Sequence, residues 1–269
     1  MVAMSASSNK AKIAKRVIEV LDYFDDDHRE ATVMDIVRRY NRPQSSTSEL
    51  LSSLVDLGLL YKDPYSRSYS LSPRAALLGA NGQTGPVRDG RIVRLLDRLA
   101  AQTGLAVALY GMVGLNAQIV SWRSAARTMS ARARAIHGGM QEPLLESAVG
   151  WLMLSTVAQP RCDGVVRRLI AEASEERKVP FAEMSLRLQR CRDTAIGVGP
   201  AGFGSGTEIV SVLLPGQQDD HPLAIGLLHN ADQQINIEGL VTCIEEAIAH
   251  CLQDGEFAPA QIEALPNAA

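Results

Sequence analysis

Aromatic residues are scarce in this chain. Two Trp, six Tyr and four Phe make up 4% of its 269 residues. Aliphatic side chains must therefore fill any core, and hydrophobic residues at 46% supply enough of them. Cysteine is equally sparse: Cys162, Cys191, Cys243 and Cys251 are scattered, with no CxxC and no Cys/His cluster at ligand spacing. That pattern predicts reduced, mostly buried thiols in a cytoplasm and no metal site. The apolar run Leu105–Leu115 falls far short of the roughly 18 residues a membrane-spanning helix needs. The opening MVAMSASSNKAK lacks an apolar h-region, so no signal peptide is expected. A dominant charge is missing as well. Net charge is −3, with 11 basic against 10 acidic residues in positions 1–79. The chain as a whole is no polycation, so any binding to DNA must come from local placement of basic groups. GxSxG, HExxH and P-loop spacings are absent, and Ser205 and Ser211 have no accompanying His/Asp order. No catalytic residue and no cofactor is expected.

The most informative stretch is Arg42-Pro43-Gln44-Ser45-Ser46-Thr47-Ser48-Glu49-Leu50-Leu51. Pro43 suits a first helical position. The hydroxyl residues after it can bond the exposed N–H groups of a first turn, or an outside anion. Leu50, Leu51, Leu54, Val55 and Leu57 then set a buried stripe, and Gly58 stops the helix. An apolar body with a small polar front suits a helix that enters a DNA major groove; it also fits a surface helix with a Ser-rich cap. Upstream, Ile13, Val17, Val20, Leu21 and Phe24 share one helical face, behind a first turn crowded by Lys10, Lys12, Lys15 and Arg16. Residues 31–40 predict a shorter helix capped near Thr32. Downstream, two β-prone runs flank Asp63-Pro64-Tyr65-Ser66, a turn composition. The order is a leading helix, a helix-turn-helix and a hairpin wing, with Lys62 and Arg67 near the wing tip.

Pro43-Gln44-Ser45-Ser46, Leu50-Leu51, Leu54, Gly58 and Tyr69-Ser70-Leu71 resemble the winged helix-turn-helix of the IclR family of bacterial transcription regulators. Two departures stand out. Gln44 occupies a position where Lys is common in that family, and Glu49 one where Arg is common. Gln can read adenine and Glu can accept from cytosine. Gly139 to Trp151, with Pro143-Leu144 and Ala148-Val149-Gly150, resembles a second signature that opens a helix under the family's effector pocket. The resemblance implies an α+β chain: an N-terminal winged helix-turn-helix, and a C-terminal α/β GAF-like domain with a mixed, largely antiparallel sheet. The expected organisation is a disordered start at 1–9, the DNA-binding domain at 10–72, a Pro/Gly-rich linker at 73–86, the effector-binding domain at 87–255 and a tail at 256–269. Expected partners are double-stranded DNA with a pseudo-palindromic operator, a small-molecule effector, and further copies of the chain as a homodimer or a dimer of dimers; no membrane is expected. A protein-interaction winged helix and an enzyme with an appended winged helix are the competing readings.

Candidate DNA contacts are Arg42, Gln44, Ser45, Ser46, Thr47, Ser48, Glu49, Lys62 and Arg67. For the effector, no acid falls between Asp97 and Glu142, while Arg98, Arg123, Arg127, Arg132 and Arg134 do. A carboxylate or phosphate would relieve such a set, because Arg binds either in bidentate fashion; exposure, or pairing with Glu, would serve as well. Arg132 and Arg134 fall on one face of an alternating stretch at 129–136, which predicts a strand. Trp122 and Trp151 could stack on a flat ligand or simply pack the core. Ser147, Ser211, His137 and His229 complete the candidate effector set with Arg123. The resemblance places hydroxyls where Gly226 and Leu228 stand, which implies an effector bulkier or more apolar than a small keto acid. Gly197-Val198-Gly199-Pro200-Ala201-Gly202 matches GxGxxG, but Pro200 and further glycine leave no helix after it, so a loop is expected.

Overall fold

A computed structural model describes residues 9–25, 28–78, 85–124, 133, 136–215 and 222–253. The chain divides into two compact units, residues Met1–Arg88 and Asp89–Ala269.

The first unit comprises α1 (Asn9–Tyr23), α2 (Val33–Tyr40), α3 (Gln44–Asp56), β1 (Leu60–Lys62), β2 (Tyr69–Leu71), α4 (Pro73–Leu77) and α5 (Gly85–Arg88). α2 begins in a capping box: the Thr32 backbone N–H and its hydroxyl both donate to the Asp35 carboxylate, at 2.8 and 2.7 Å. Asn41 ends it in a left-handed conformation, φ 49°, and so turns the chain sharply into α3. Pro43 sits one position earlier than its sequence suggests. It is the extended N-cap residue, and Gln44 is the first helical position. Val20, Ile36, Leu51, Leu54, Leu60 and Tyr69 form the core that fixes α1 to α3 on the hairpin. β1 and β2 pair antiparallel, Leu60 opposite Leu71. Ala31 adds a bridge to Tyr69, with N–H···O bonds of 2.9 and 2.8 Å, which ties the entry to α2 onto the wing.

The second unit is built from α6 (Arg91–Thr103), β3 (Ala106–Val113), β4 (Asn116–Arg123), β5 (Gln141–Pro143), α7 (Ala148–Ser155), α8 (Arg161–Glu172), α9 (Phe181–Thr194), β6 (Ile196–Pro200), β7 (Thr207–Leu213), β8 (Leu223–Asn230) and α10 (Ile237–Ile248). The strand order is β5-β4-β3-β8-β7-β6, and every pairing between the described strands is antiparallel. Alternation along the strands separates two cores. Val107, Leu109, Val210, Ile225 and Leu227 pack with Ile92, Leu96 and Leu99 of α6 and Ile244 of α10. Ala106, Ala108, Tyr110, Ile209 and Ala224 face Val149, Leu152 and Met153 of α7. Every residue of α7 is buried, as expected of a helix that is apolar on all sides.

The glycine match at 197–202 is not a loop. Residues 196–200 form the edge strand β6. Its glycines serve close packing: a Cβ on Gly197 would lie 2.7 Å from the Ala148 carbonyl oxygen and 2.5 Å from Ser211 Oγ. Gly90 takes φ 75° and separates α5 from α6. The strand expected at 129–136 lies outside the described residues, apart from Ala133 and Ile136, both buried.

Candidate nucleic-acid interface and ligand cavity

α3 has no side-chain cap at its N-terminus, so the free N–H groups of its first turn and the positive end of its dipole stay available. Gln44, Ser45 and Glu49 are exposed there, and Ser46 and Ser48 are half-buried. Thr47 points the other way: it is 1% exposed, and its hydroxyl donates to the Pro43 carbonyl at 2.8 Å. Arg42 is held against α1, where one Nη donates to both oxygens of Glu19 at 3.1 Å. Arg16 of α1 reaches the same front, donating to Ser46 Oγ at 3.1 Å. Arg16 was absent from the candidate set, although the cation-rich first turns of α1 were its signal. In the wing, Asp63 Oδ1 accepts from the N–H groups of Tyr65 (2.7 Å) and Ser66 (3.2 Å), and these bonds hold its carboxyl below the usual range. Arg67 follows in a left-handed conformation, φ 56°, exposed at the tip. Lys62 is exposed too, its ammonium 5.5 Å from the Tyr69 ring. The unit therefore gathers α3's polar front, a cation from α1 and two wing cations on short, well-anchored elements.

The second unit contains a cavity of about 770 Å³ between the 3-10 turn at Leu144–Glu146, α8 and α9. Leu145, Leu169, Ile170 and Val179 give it an apolar wall, and Trp151 forms another side. Its guanidinium groups are engaged: Arg177 with both oxygens of Glu146 at 2.9 Å, Arg168 with Glu172 at 2.8 Å, and Arg187 with Glu183 at 2.5 Å. Arg187 also lies 4.5 Å above the Trp151 ring, whose N–H donates to the Leu145 carbonyl at 2.8 Å.

The other candidate effector residues do not converge on one place. Ser147 caps α7 through the Gly150 N–H, and Ser211 donates to the Gly197 carbonyl at 3.0 Å; both are fully buried near α7. Trp122 is half-buried against the α7-side core. Arg123 is paired with Asp97 at 2.6 Å. His137 is exposed, its Nδ1 2.8 Å from the Gly138 carbonyl. His229 is 7% exposed; by strand alternation it shares the α6/α10 side with Ile225 and Leu227. Arg132 and Arg134 lie outside the described residues.

Two residues that sequence reading passed over form the most perturbed polar group of this unit. Glu142, on the three-residue β5, turns inward while Gln141 and Pro143 face out. Burial pushes its carboxyl up to about 7, against opposing hydrogen bonds from the Phe203 N–H and the Ser147 hydroxyl. Tyr110 of β3 is wholly enclosed; burial, and then the Glu142 charge, drive its hydroxyl far above the usual range. The only sequence signal was one acid in an otherwise apolar register. Among the described residues, no cluster of three or more His, Cys, Asp or Glu could hold a metal ion. No described helix is long and apolar enough to cross a membrane.

The first unit is a winged helix-turn-helix, and the second packs helices on an antiparallel six-stranded sheet. Both have counterparts among known proteins. Residues 14–64 match the IclR helix-turn-helix domain. Solved structures show the same fold over almost the whole chain. An IclR transcriptional regulator from Alicyclobacillus acidocaldarius superposes with a TM-score of 0.59 at 21% identity, covering 92% of this chain and 98% of that one. An IclR homolog from Microbacterium hydrocarbonoxydans complexed with 4-hydroxybenzoate gives 0.58 at 15% identity, covering 90% and 98%. The Thermotoga maritima IclR gives 0.54 at 15%, covering 90% and 96%. No curated protein sequence matches the chain. The protein is a transcription regulator with an IclR-type helix-turn-helix domain.

Proposed function

We propose that this protein is a sequence-specific, effector-controlled regulator acting in the cytoplasm, without enzymatic activity. The N-terminal region, residues 10–72, binds operator DNA, and residues 87–255 bind a small organic molecule. The observation that carries this reading is the uncapped, polar front of α3 standing on a packed three-helix core beside the wing. Gln44, Ser45, Ser48 and Glu49 lie near base edges, whereas Arg16, Lys62 and Arg67 meet phosphate. Arg42 and Thr47 hold the front in place. The effector reading is supported by the 770 Å³ cavity, a volume typical of small-molecule sites, and by the neighbour that holds 4-hydroxybenzoate. An aromatic molecule, with or without an acid group, is the class to try first. Binding shifts the protein between DNA-competent and incompetent states only by its differential affinity for the two.

A gel-shift assay with the chain's own upstream DNA, at stated salt, tests the first half. Wild-type protein shifts a discrete fragment, and the double change Gln44→Ala, Ser45→Ala weakens that shift by about 1–3 kcal/mol without lowering the melting temperature. An equal shift of unrelated DNA would remove the sequence-specific reading. A thermal-shift screen of small metabolites, with 4-hydroxybenzoate included, tests the second half.

A further inference from the structure

A second cavity, of about 510 Å³, lies between the edge strand β6, α9 and Ile237, the first residue of α10. Trp151, Arg187 and Pro200 line it and the 770 Å³ cavity alike, so the two chambers meet at that group. There the Arg187 guanidinium lies 4.5 Å over the Trp151 ring. The chambers differ in charge. The larger one is lined in part by Glu146 and Glu172. The smaller one has Arg187 and Arg190, and no acid among its described lining residues; Ile196, Val198 and Ile237 add apolar surface beside them.

Arg187 and Arg190 stand three positions apart on α9, which places their Cβ atoms about 5–6 Å from each other on one helix face. One carboxylate can therefore reach both guanidinium groups. Each has donors to offer. A guanidinium carries several N–H groups, and Arg187 uses one Nη on Glu183, at 2.5 Å. The Glu183 side chain is itself 50% exposed, one turn away on the same helix. Such pairs contribute only about 0.3–0.5 kcal/mol, so a ligand acid can join or displace Glu183 at small cost. Arg190 is exposed and makes no side-chain ion pair among the described residues. The arginines of the larger chamber are less free, since Arg177 is bound to both oxygens of Glu146. An anion placed in the larger chamber would also face Glu146 and Glu172, whereas in the smaller one it meets cations alone. The apolar wall of Leu145, Leu169, Ile170 and Val179 belongs to the larger chamber.

We propose that the two cavities form one effector site, in which Arg187 and Arg190 bind a terminal carboxylate and the larger chamber takes the apolar body attached to it. The ligand class is an elongated monoacid. A neutral molecule of the same shape, or an acid without the body, binds poorly. The proposal rests on the effector-binding reading of the second unit and adds to it which end of the ligand is charged and where that end lies.

The experiment is calorimetry of the full-length protein with millimolar 4-phenylbutyrate, its neutral amide 4-phenylbutyramide, and acetate. Wild type binds 4-phenylbutyrate at least about tenfold more tightly than either of the others. Arg187→Gln abolishes that preference and leaves amide binding unchanged. Glu183→Gln, which frees the guanidinium, tightens 4-phenylbutyrate about twofold. Four results overturn the proposal: 4-phenylbutyrate failing to bind wild type, the amide binding as tightly, acetate binding as tightly, or Arg187→Gln binding 4-phenylbutyrate as wild type does. Gel shifts of the same proteins keep the two readings apart. A metabolite that alters the DNA shift of wild type and of Arg187→Gln alike leaves effector control standing and removes this site from it. Binding of 4-phenylbutyrate as expected, with the DNA shift unchanged, counts against effector control and leaves the site standing.

Discussion

Glu142 is buried against its own chemistry. A carboxyl raised from its ordinary value to about 7 prefers its proton in the folded state. The linkage sign follows: the group's contribution is fully present below the unfolded value, near 4.5, and is lost as pH rises through about 7. The second unit should therefore weaken between those pH values by up to about 3 kcal/mol. Urea midpoints at pH 5 and pH 8 measure this, and Glu142→Gln should flatten the difference; an unchanged slope in the variant would assign the effect elsewhere. At the same scale, Thr47 shows how residue type can mislead. Five polar residues run from Gln44 to Ser48, but helical geometry turns the fourth of them into the core, where its hydroxyl is satisfied by the Pro43 carbonyl. Arg42, half-exposed, is paired with Glu19, 23 positions away, which holds its guanidinium against α1.

At the scale of elements, hydrophobic spacing located the helices well. α1 to α3 follow their apolar stripes, and Gly58 ends the α3 segment with φ 72° as its position suggests. β6 was hidden for a physical reason. A strand is recognised by its side chains, and Gly197 and Gly199 have none, because α7 and Trp151 occupy that space. Gly197→Ala should accordingly destabilise the second unit by about 1–3 kcal/mol, since the nearest obstacles include a backbone carbonyl that cannot rotate away. Gly114→Ala is the control. Its φ is 61°, a left-handed value Gly197 does not have, and nothing lies within 4 Å, so the loss there reflects backbone conformation alone. Thermal melts of the two variants separate steric overlap from conformational strain.

At the scale of the whole molecule, one short recognition helix reads few base pairs. A dimer on two half-sites is the expected working form, with centres about 34–36 Å or a multiple apart along the duplex. Sedimentation of the free protein and footprinting of its upstream DNA check this: a monomer protecting a single half-site would contradict it. Because phosphate contacts set the salt dependence, Arg67→Ala should weaken binding similarly on all sequences and reduce the slope of log K against log salt by about 0.9.

The sequence by itself determined the helix-turn-helix and the wing. These depend on local periodicity, caps and turn residues, which act within a few positions of one another. Only the tertiary structure decided which polar residues are free to meet a partner. Arg42 and Glu19 meet across 23 positions, Glu142 and Phe203 across 61, and Tyr110 is enclosed by strands drawn from both halves of its unit. Burial and pairing at such separations are set by how the sheet closes around α7, and no local pattern encodes that closure.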